Sequence, residues 1–276
     1  MQIILLDRSI FHGTKFEQLR TSPLASMVRH SAVKVFCTPM FIEETLVYGL
    51  HNKPQFDAHW AFITSLIGQK WFKFAREISA IELSDNILGN NWYLQPRERV
   101  RRTMKNAEEL ASRRIPAKDL QKALSDIEQN KDIDIRFRQA RLQMRSTTRL
   151  TWNDFDAFCE SKAEWVIEKR LMPHIPGSSR FLTTWRSKRE SCKFTEQLIK
   201  ATLATIFLPI VDHELKVDKN DGTDSQQLAY LLWADILVSD DTRFMKKGFD
   251  LLYGTSAKRF MTLPEFLQHL EHCNCV

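Results

Sequence analysis

Asp7, Glu44, Asp224 and Asp241 lie in two blocks at opposite ends of a 276-residue chain, each where a predicted strand ends or a predicted helix begins. Asp7 follows the apolar run Ile3-Ile4-Leu5-Leu6, and Glu44 stands in Thr38-Pro39-Met40-Phe41-Ile42-Glu43-Glu44. Asp224 ends Gly222-Thr223-Asp224, and Asp241 ends Leu237-Val238-Ser239-Asp240-Asp241. Open α/β sheets hold their ligands just outside the carboxyl ends of the strands. Carboxylates gathered there, with no cysteine or histidine beside them in sequence, suit a hard cation such as Mg²⁺ or Mn²⁺. Each acid also has a plain structural role open to it. Asp7 can cap a turn, Asp224 can be an N-cap, Asp221 belongs to a turn cluster, and Asp235 reads as a loop residue before a strand. Glu43 and Glu44 cannot both face one site, because neighbouring helical residues point about 100° apart. By the same reasoning Asp240 points away if Asp241 points in.

The elements that must position these acids form an α/β pattern at both ends of the chain. Residues 2–6 read as a buried parallel strand, Phe16 to Val28 as a helix broken near Pro23, and Val33–Cys37 as a second strand. Thr38 is a good N-cap with Pro39 at the first helical position, and that helix should stop near Gly49. After the turn Lys219-Asn220-Asp221-Gly222, the pattern resumes with a helix over Ser225–Trp233 and a strand over Ile236–Val238. A helix near Thr242–Leu252, a strand at Arg259–Thr262 and a closing helix from Leu263 follow. Between them helical periodicity dominates, with helices predicted over Pro96–Arg114, Pro116–Gln129, Asp154–Arg170 and Lys193–Phe207. The expected fold is α/β: a three-layer α/β/α sandwich with a mostly parallel sheet. Residues 1–51 and 206–276 form the split domain, and an all-helical insertion occupies 52–205.

Three pieces together resemble the PIN-domain nucleases. Leu5-Leu6-Asp7-Arg8-Ser9 is similar to the family's apolar strand followed by Asp, a variable residue and a small polar one. Thr38 through Glu44 is similar to its hydroxyl residue followed six positions later by a helical Glu. From Asp224 to Asp241, an Asp opens a helix, Ala234-Asp235 precedes a short strand, and Val238-Ser239-Asp240-Asp241 resembles Val-Thr-x-Asp. Phe244 and Leu263-Pro264-Glu265-Phe266-Leu267 add to the likeness, which covers about residues 1–50 and 205–270. Arg8, where a small or polar residue is usual, and the large helical middle depart from it.

The resemblance implies a Mg²⁺- or Mn²⁺-dependent nuclease, most simply an endoribonuclease. Asp7, Glu44, Asp224 and Asp241 would be its catalytic, metal-holding acids, and Ser239, Ser9, Glu43 and Asp221 candidates for the layer around them. The alternative is a non-catalytic scaffold that keeps the fold, which Arg8 and the insertion would suit.

Charge bears on partners. Residues 101–200 hold 22 Lys and Arg against 14 Asp and Glu, which suggests a surface for a polyanion such as RNA or single-stranded DNA. Candidate clusters are Arg97-Arg99-Arg101-Arg102, Arg113-Arg114, Arg136-Arg138-Arg141-Arg145 and Arg186-Lys188-Arg189. Arg138, Arg141 and Arg145 share one helical face at three- and four-residue spacing. Pairing with acids on neighbouring helices, or docking of a protein inhibitor on the insertion, would use the same residues.

Several classes lose support. No Gly-x-Gly-x-x-Gly or Walker-type loop occurs, and no Ser/His/Asp or Cys/His grouping stands out. His269, His272, Cys273 and Cys275 are zinc-ligand types, but their spacing is too compressed for an ordinary finger. Trp71, Trp92, Trp152, Trp165 and Trp185 read as core residues before base-stacking ones. No apolar run reaches about 18 residues, so no membrane span is expected. Five scattered cysteines and a start without a basic leader point to a cytoplasmic protein without a disulfide framework.

Overall fold

In the computed structural model, which describes residues 1–51, 53–67, 70–111, 125, 150–218 and 220–274, four short strands form one all-parallel sheet. They are β1 (Gln2–Leu6), β2 (Val33–Phe36), β3 (Ile236–Val238) and β4 (Arg259–Met261), in the order β2-β1-β3-β4. Leu5 pairs with Phe36 on one side and Leu237 on the other, so strands from opposite ends of the sequence lie side by side. Asp235 is part of this ladder. Its backbone N–H donates to Ile3 O at 2.8 Å, its Oδ2 accepts from Ile3 N at 2.8 Å, and its carbonyl accepts from Arg259 N at 2.9 Å. As expected, Asp235 lies in the loop just before β3, and from there its contacts join three strands at their amino ends.

Strand alternation sends side chains to two apolar layers. Leu5, Phe36 and Leu237 face one, and Ile4, Leu6, Val33, Val35, Ile236 and Val238 face the other. The helices before the middle of the chain are α1 (Thr14–Thr21), α2 (Leu24–Arg29), α3 (Pro39–His51), α4 (Lys53–Ile67), α5 (Ala75–Leu83) and α6 (Arg97–Ala111). Next come α7 (Phe155–Val166), α8 (Phe181–Lys188) and α9 (Lys193–Val211). The last are α10 (Asp221–Tyr230), α11 (Met245–Tyr253) and α12 (Leu263–Asn274). Helices cover both faces of the sheet, giving the expected three-layer α/β/α arrangement.

The sequence-defined insertion contributes to both layers. Phe56, Trp60, Ile63 and Val100 of α4 and α6 pack on the face of Ile4 and Val238. Ile78, Cys159, Ala163, Leu203 and Phe207 of α5, α7 and α9 pack on the face of Leu5 and Leu237. Glu82 ties these helices together. It is 4% exposed, and its carboxylate accepts from Phe194 N at 3.0 Å, Thr195 N at 2.7 Å and Thr195 Oγ1 at 2.7 Å. A carboxylate on the first turn of α9 satisfies amides that have no intrahelical partner.

Helix boundaries shift modestly from the sequence reading. The break at Pro23 separates α1 from α2, α9 runs four residues further than predicted, and α7 passes into a π turn over Ile167–Leu171. The helix predicted at Pro116–Gln129 lies outside the described residues apart from position 125. By length and composition α9 could cross a membrane. Here it is a core helix, with Phe194, Ala201, Ala204 and Phe207 fully buried and α5, α7, α10 and α11 packed against it. Its apolarity comes from being covered on most sides.

Candidate functional site

The chain runs from β1 outward to β2, then returns to β3 on the other side of β1. This reversal between β1 and β3, at their carboxyl ends, is the usual ligand position in an open parallel sheet. Leu6 is in register with Val238, so Asp7 and the Ser239-Asp240-Asp241 turn leave the sheet side by side. Asp7 N donates to Val238 O at 2.9 Å, continuing the ladder into the site.

Asp7 is 6% exposed and its two oxygens are treated differently. Oδ2 accepts from Ser9 Oγ at 2.5 Å, Ser239 Oγ at 2.8 Å and Ser9 N at 3.3 Å. Oδ1 accepts from Gln227 Nε2 at 3.1 Å. The two serines join the strands. Ser239 is fully buried and accepts from Asp241 N at 3.1 Å, while Ser9 Oγ accepts from Asp240 N at 3.0 Å. Asp241 Oδ1 accepts from Arg243 N at 2.8 Å and Phe244 N at 3.1 Å, which fixes its rotamer at the approach to α11. Asp240 turns away as expected: Oδ1 accepts from Leu263 N at 2.9 Å, and Oδ2 pairs with Lys15 at 2.7 Å.

Asp224 occupies the first turn of α10. Burial raises its carboxyl well above the usual carboxylate range, and the negative charges of Asp7, Glu44, Asp241 and Asp221 push it further in that order. All four predicted acids therefore share one electrostatic neighbourhood. Glu43 diverges from Glu44: Glu44 but not Glu43 is among the charges that raise Asp224, whereas Glu43 is among those that raise Tyr230. Asp221 is fully buried, accepts from Asp218 N at 2.8 Å and pairs with Arg243 Nη2 at 2.5 Å. This gives Asp221 a structural role within the site, beyond that of a turn residue.

Arg8 reaches α4 and the Phe11 ring. It is 6% exposed, with Nη2 at 3.1 Å from His59 Nδ1 and its guanidinium over the Phe11 ring.

Two residues at the site escaped the sequence reading. Gln227, one turn after Asp224, looks like an ordinary polar position on a helix, and only the β1–α10 contact gives it a function. Arg243 looks like a surface residue, and its anchor on Asp221 is visible only in three dimensions. Among the described residues no three His, Cys, Asp or Glu side chains converge tightly enough to hold a metal ion as they stand. The donor set nevertheless fits a hard divalent cation in kind. It offers only oxygens, it is mutually repulsive, and it stands where a parallel sheet presents its ligand site.

The other candidates resolve differently. Arg186 pairs with Glu164, Arg189 with Glu160 and Glu196, and Lys188 with Asp85, so this basic cluster is engaged with acids on neighbouring elements. Arg97, Arg101 and Arg102 are exposed on α6, and Arg99 pairs with Glu77. Arg113, Arg114, Arg136, Arg138, Arg141 and Arg145 lie outside the described residues. Trp71 and Trp185 are core residues, Trp92 and Trp165 are half-buried, and Trp152 is 49% exposed. Cys37, Cys159, Cys192 and Cys273 are free thiols. His269 lies near Cys273 but also contacts Gln2 and Arg259, which are not zinc ligands.

Compared with protein-family models, with curated proteins and with solved structures, the chain matches none.

Proposed function

We propose that this chain is a PIN-like, Mg²⁺- or Mn²⁺-dependent nuclease acting on RNA. One observation carries the reading: four carboxylates from α3, α10 and the ends of β1 and β3 are electrostatically coupled where the strand order reverses. Asp7, Glu44, Asp224 and Asp241 would hold the cation. When bound, it would lower the pKa of a water and offset charge on the phosphoryl oxygens. The chain's own groups prepare that site. Ser9 and Ser239 hold Asp7 Oδ2, the Arg243 and Phe244 amides hold Asp241 Oδ1, and the Asp221–Arg243 pair links α10 to the Asp241 turn. Asp224, held toward its neutral form by burial and then by the charges of its neighbours, would ionise once a cation offsets those charges.

The test is cleavage of labelled RNA and single-stranded DNA with and without EDTA. EDTA-sensitive cleavage, abolished in the Asp7→Asn, Asp241→Asn double variant, is the expected result. Equal cleavage by that variant would identify a contaminant. A second reading, a non-catalytic scaffold, draws on the engagement of Asp7 and Asp241 by protein donors and the absence of a tight three-acid group among the described residues. Calorimetric titration with MnCl₂ separates the two, because a scaffold would bind no Mn²⁺ through these carboxylates. The cytoplasmic location and the partner role of the basic middle are further parts of the proposal.

A further inference from the structure

Gln227 is 1% exposed and lies one helical turn after Asp224, so the two residues share a face of α10. Its Nε2 donates to Asp7 Oδ1 at 3.1 Å. An ionised carboxylate only accepts, so the amide's NH₂ must face Asp7 and its carbonyl oxygen must point elsewhere. That oxygen, Oε1, is buried and receives no hydrogen bond from any described protein group. A buried amide carbonyl without a donor is costly, and most such groups in folded proteins are satisfied. The arrangement of Asp7 indicates where a donor would come from. Its Oδ2 is already occupied by two serine hydroxyls and a backbone amide, which leaves Oδ1, the oxygen Gln227 touches, with the fewer protein donors of the two.

We infer that Gln227 is a neutral oxygen of the cation site, with Oε1 accepting a hydrogen bond from a water carried by the cation while Nε2–H fixes Asp7 Oδ1. This rests on the metal-dependent reading above and extends it to a residue between Asp224 and Asp7. A divalent ion at Asp7 Oδ1 would bring its waters alongside the Gln227 amide. Each such water has two O–H donors, and Oε1 needs one.

The experiment is calorimetric titration of the full chain with MnCl₂ in wild type, Gln227→Met and Gln227→Glu, each first checked by circular dichroism and thermal melting. Gln227→Met removes both amide functions in a side chain of similar length and should weaken Mn²⁺ binding at least ~10-fold, the usual size for groups that support a metal's ligands. Gln227→Glu restores an oxygen acceptor at the same place and should bind within about threefold of wild type or more tightly, since the added carboxylate also attracts the cation. A Gln227 that only braces Asp7 predicts a different pattern: a carboxylate there cannot donate and repels Asp7, so both variants would lose affinity together. That result, or unchanged affinity in Gln227→Met, overturns the inference and leaves the metal site standing. Absence of Mn²⁺ binding in the wild type overturns both. If Gln227→Met does not fold, Gln227→Glu alone decides.

Discussion

Arg243 Nη2 lies 2.5 Å from Asp221 Oδ1, and through this pair the helix bearing Asp224 is tied to the turn bearing Asp241. Asp221 is fully buried, whereas 40% of the Arg243 side chain is exposed. Nη1 of the same guanidinium donates to Lys216 O at 3.0 Å, so the arginine also closes the segment leading into α10. Burial works against the charge on Arg243, but the Asp221 hydrogen bond and the charges of Asp221, Asp241 and Asp218 outweigh it.

Arg243→Met should therefore destabilise the protein by roughly 2–4 kcal/mol. This lies somewhat below the roughly 3–5 kcal/mol of breaking a fully buried pair, because the guanidinium is partly solvated. Urea unfolding measures it. The Asp221→Asn, Arg243→Met double variant should recover part of the loss, since no buried charge then lacks its partner; strictly additive losses would show that the two residues are not coupled.

Ser239→Ala removes the hydroxyl that donates to Asp7 and accepts from the Asp241 amide. We expect cleavage to fall by about 10- to 100-fold and stability by about 1–2 kcal/mol, with secondary structure unchanged. Steady-state cleavage assays and denaturant titration read the two effects separately. Full activity in the alanine variant would mean that Asp7 is positioned without Ser239.

Acid should destabilise the protein through His59. Burial, then Arg8 and His12, lower its pKa from 6.5 to about 4, so the folded protein keeps it neutral where the unfolded chain would protonate it. The unfolded state then binds more protons, and stability falls as pH drops from about 6.5 toward 4. By pH 5 the loss should be about 2 kcal/mol. His59→Gln, which keeps an acceptor for Arg8, should show a flatter stability profile between pH 7 and 5, and an unchanged slope would remove His59 from the explanation.

RNA binding should distinguish the basic clusters. Arg186, Lys188 and Arg189 are paired with acids, so the triple Glu variant of these residues should leave RNA affinity and its salt dependence nearly unchanged. Replacing Arg138, Arg141 and Arg145 with Glu should weaken binding and reduce the log–log salt slope by about 0.7 for each phosphate no longer neutralised. Filter binding at several salt concentrations tests both. Equal effects from the two variants would indicate general charge attraction.

The strands, the helices flanking them and the parallel character of the sheet were legible in the sequence. They depend on local signals: apolar runs ended by an acid, a Thr-Pro helix start, and turn clusters before α10. Asp7 and Asp241 stood out for the same reason, because each follows the end of a strand, while Glu44 within α3 and Asp224 in the first turn of α10 were read from helix starts. The sequence left open which acid of each adjacent pair turns inward. For Asp240 and Asp241 that was decided by register and capping, as Leu6 aligned with Val238 and Leu263 N took Asp240. Gln227 and Arg243 could not have been found from spacing, because each acquires its role from a contact with Asp7 or Asp221, far away in the chain. The helical middle reads as an insertion because its periodicity differs from the α/β ends. Only tertiary structure shows that α4, α6, α7 and α9 join helices of the two ends in burying the sheet's apolar faces.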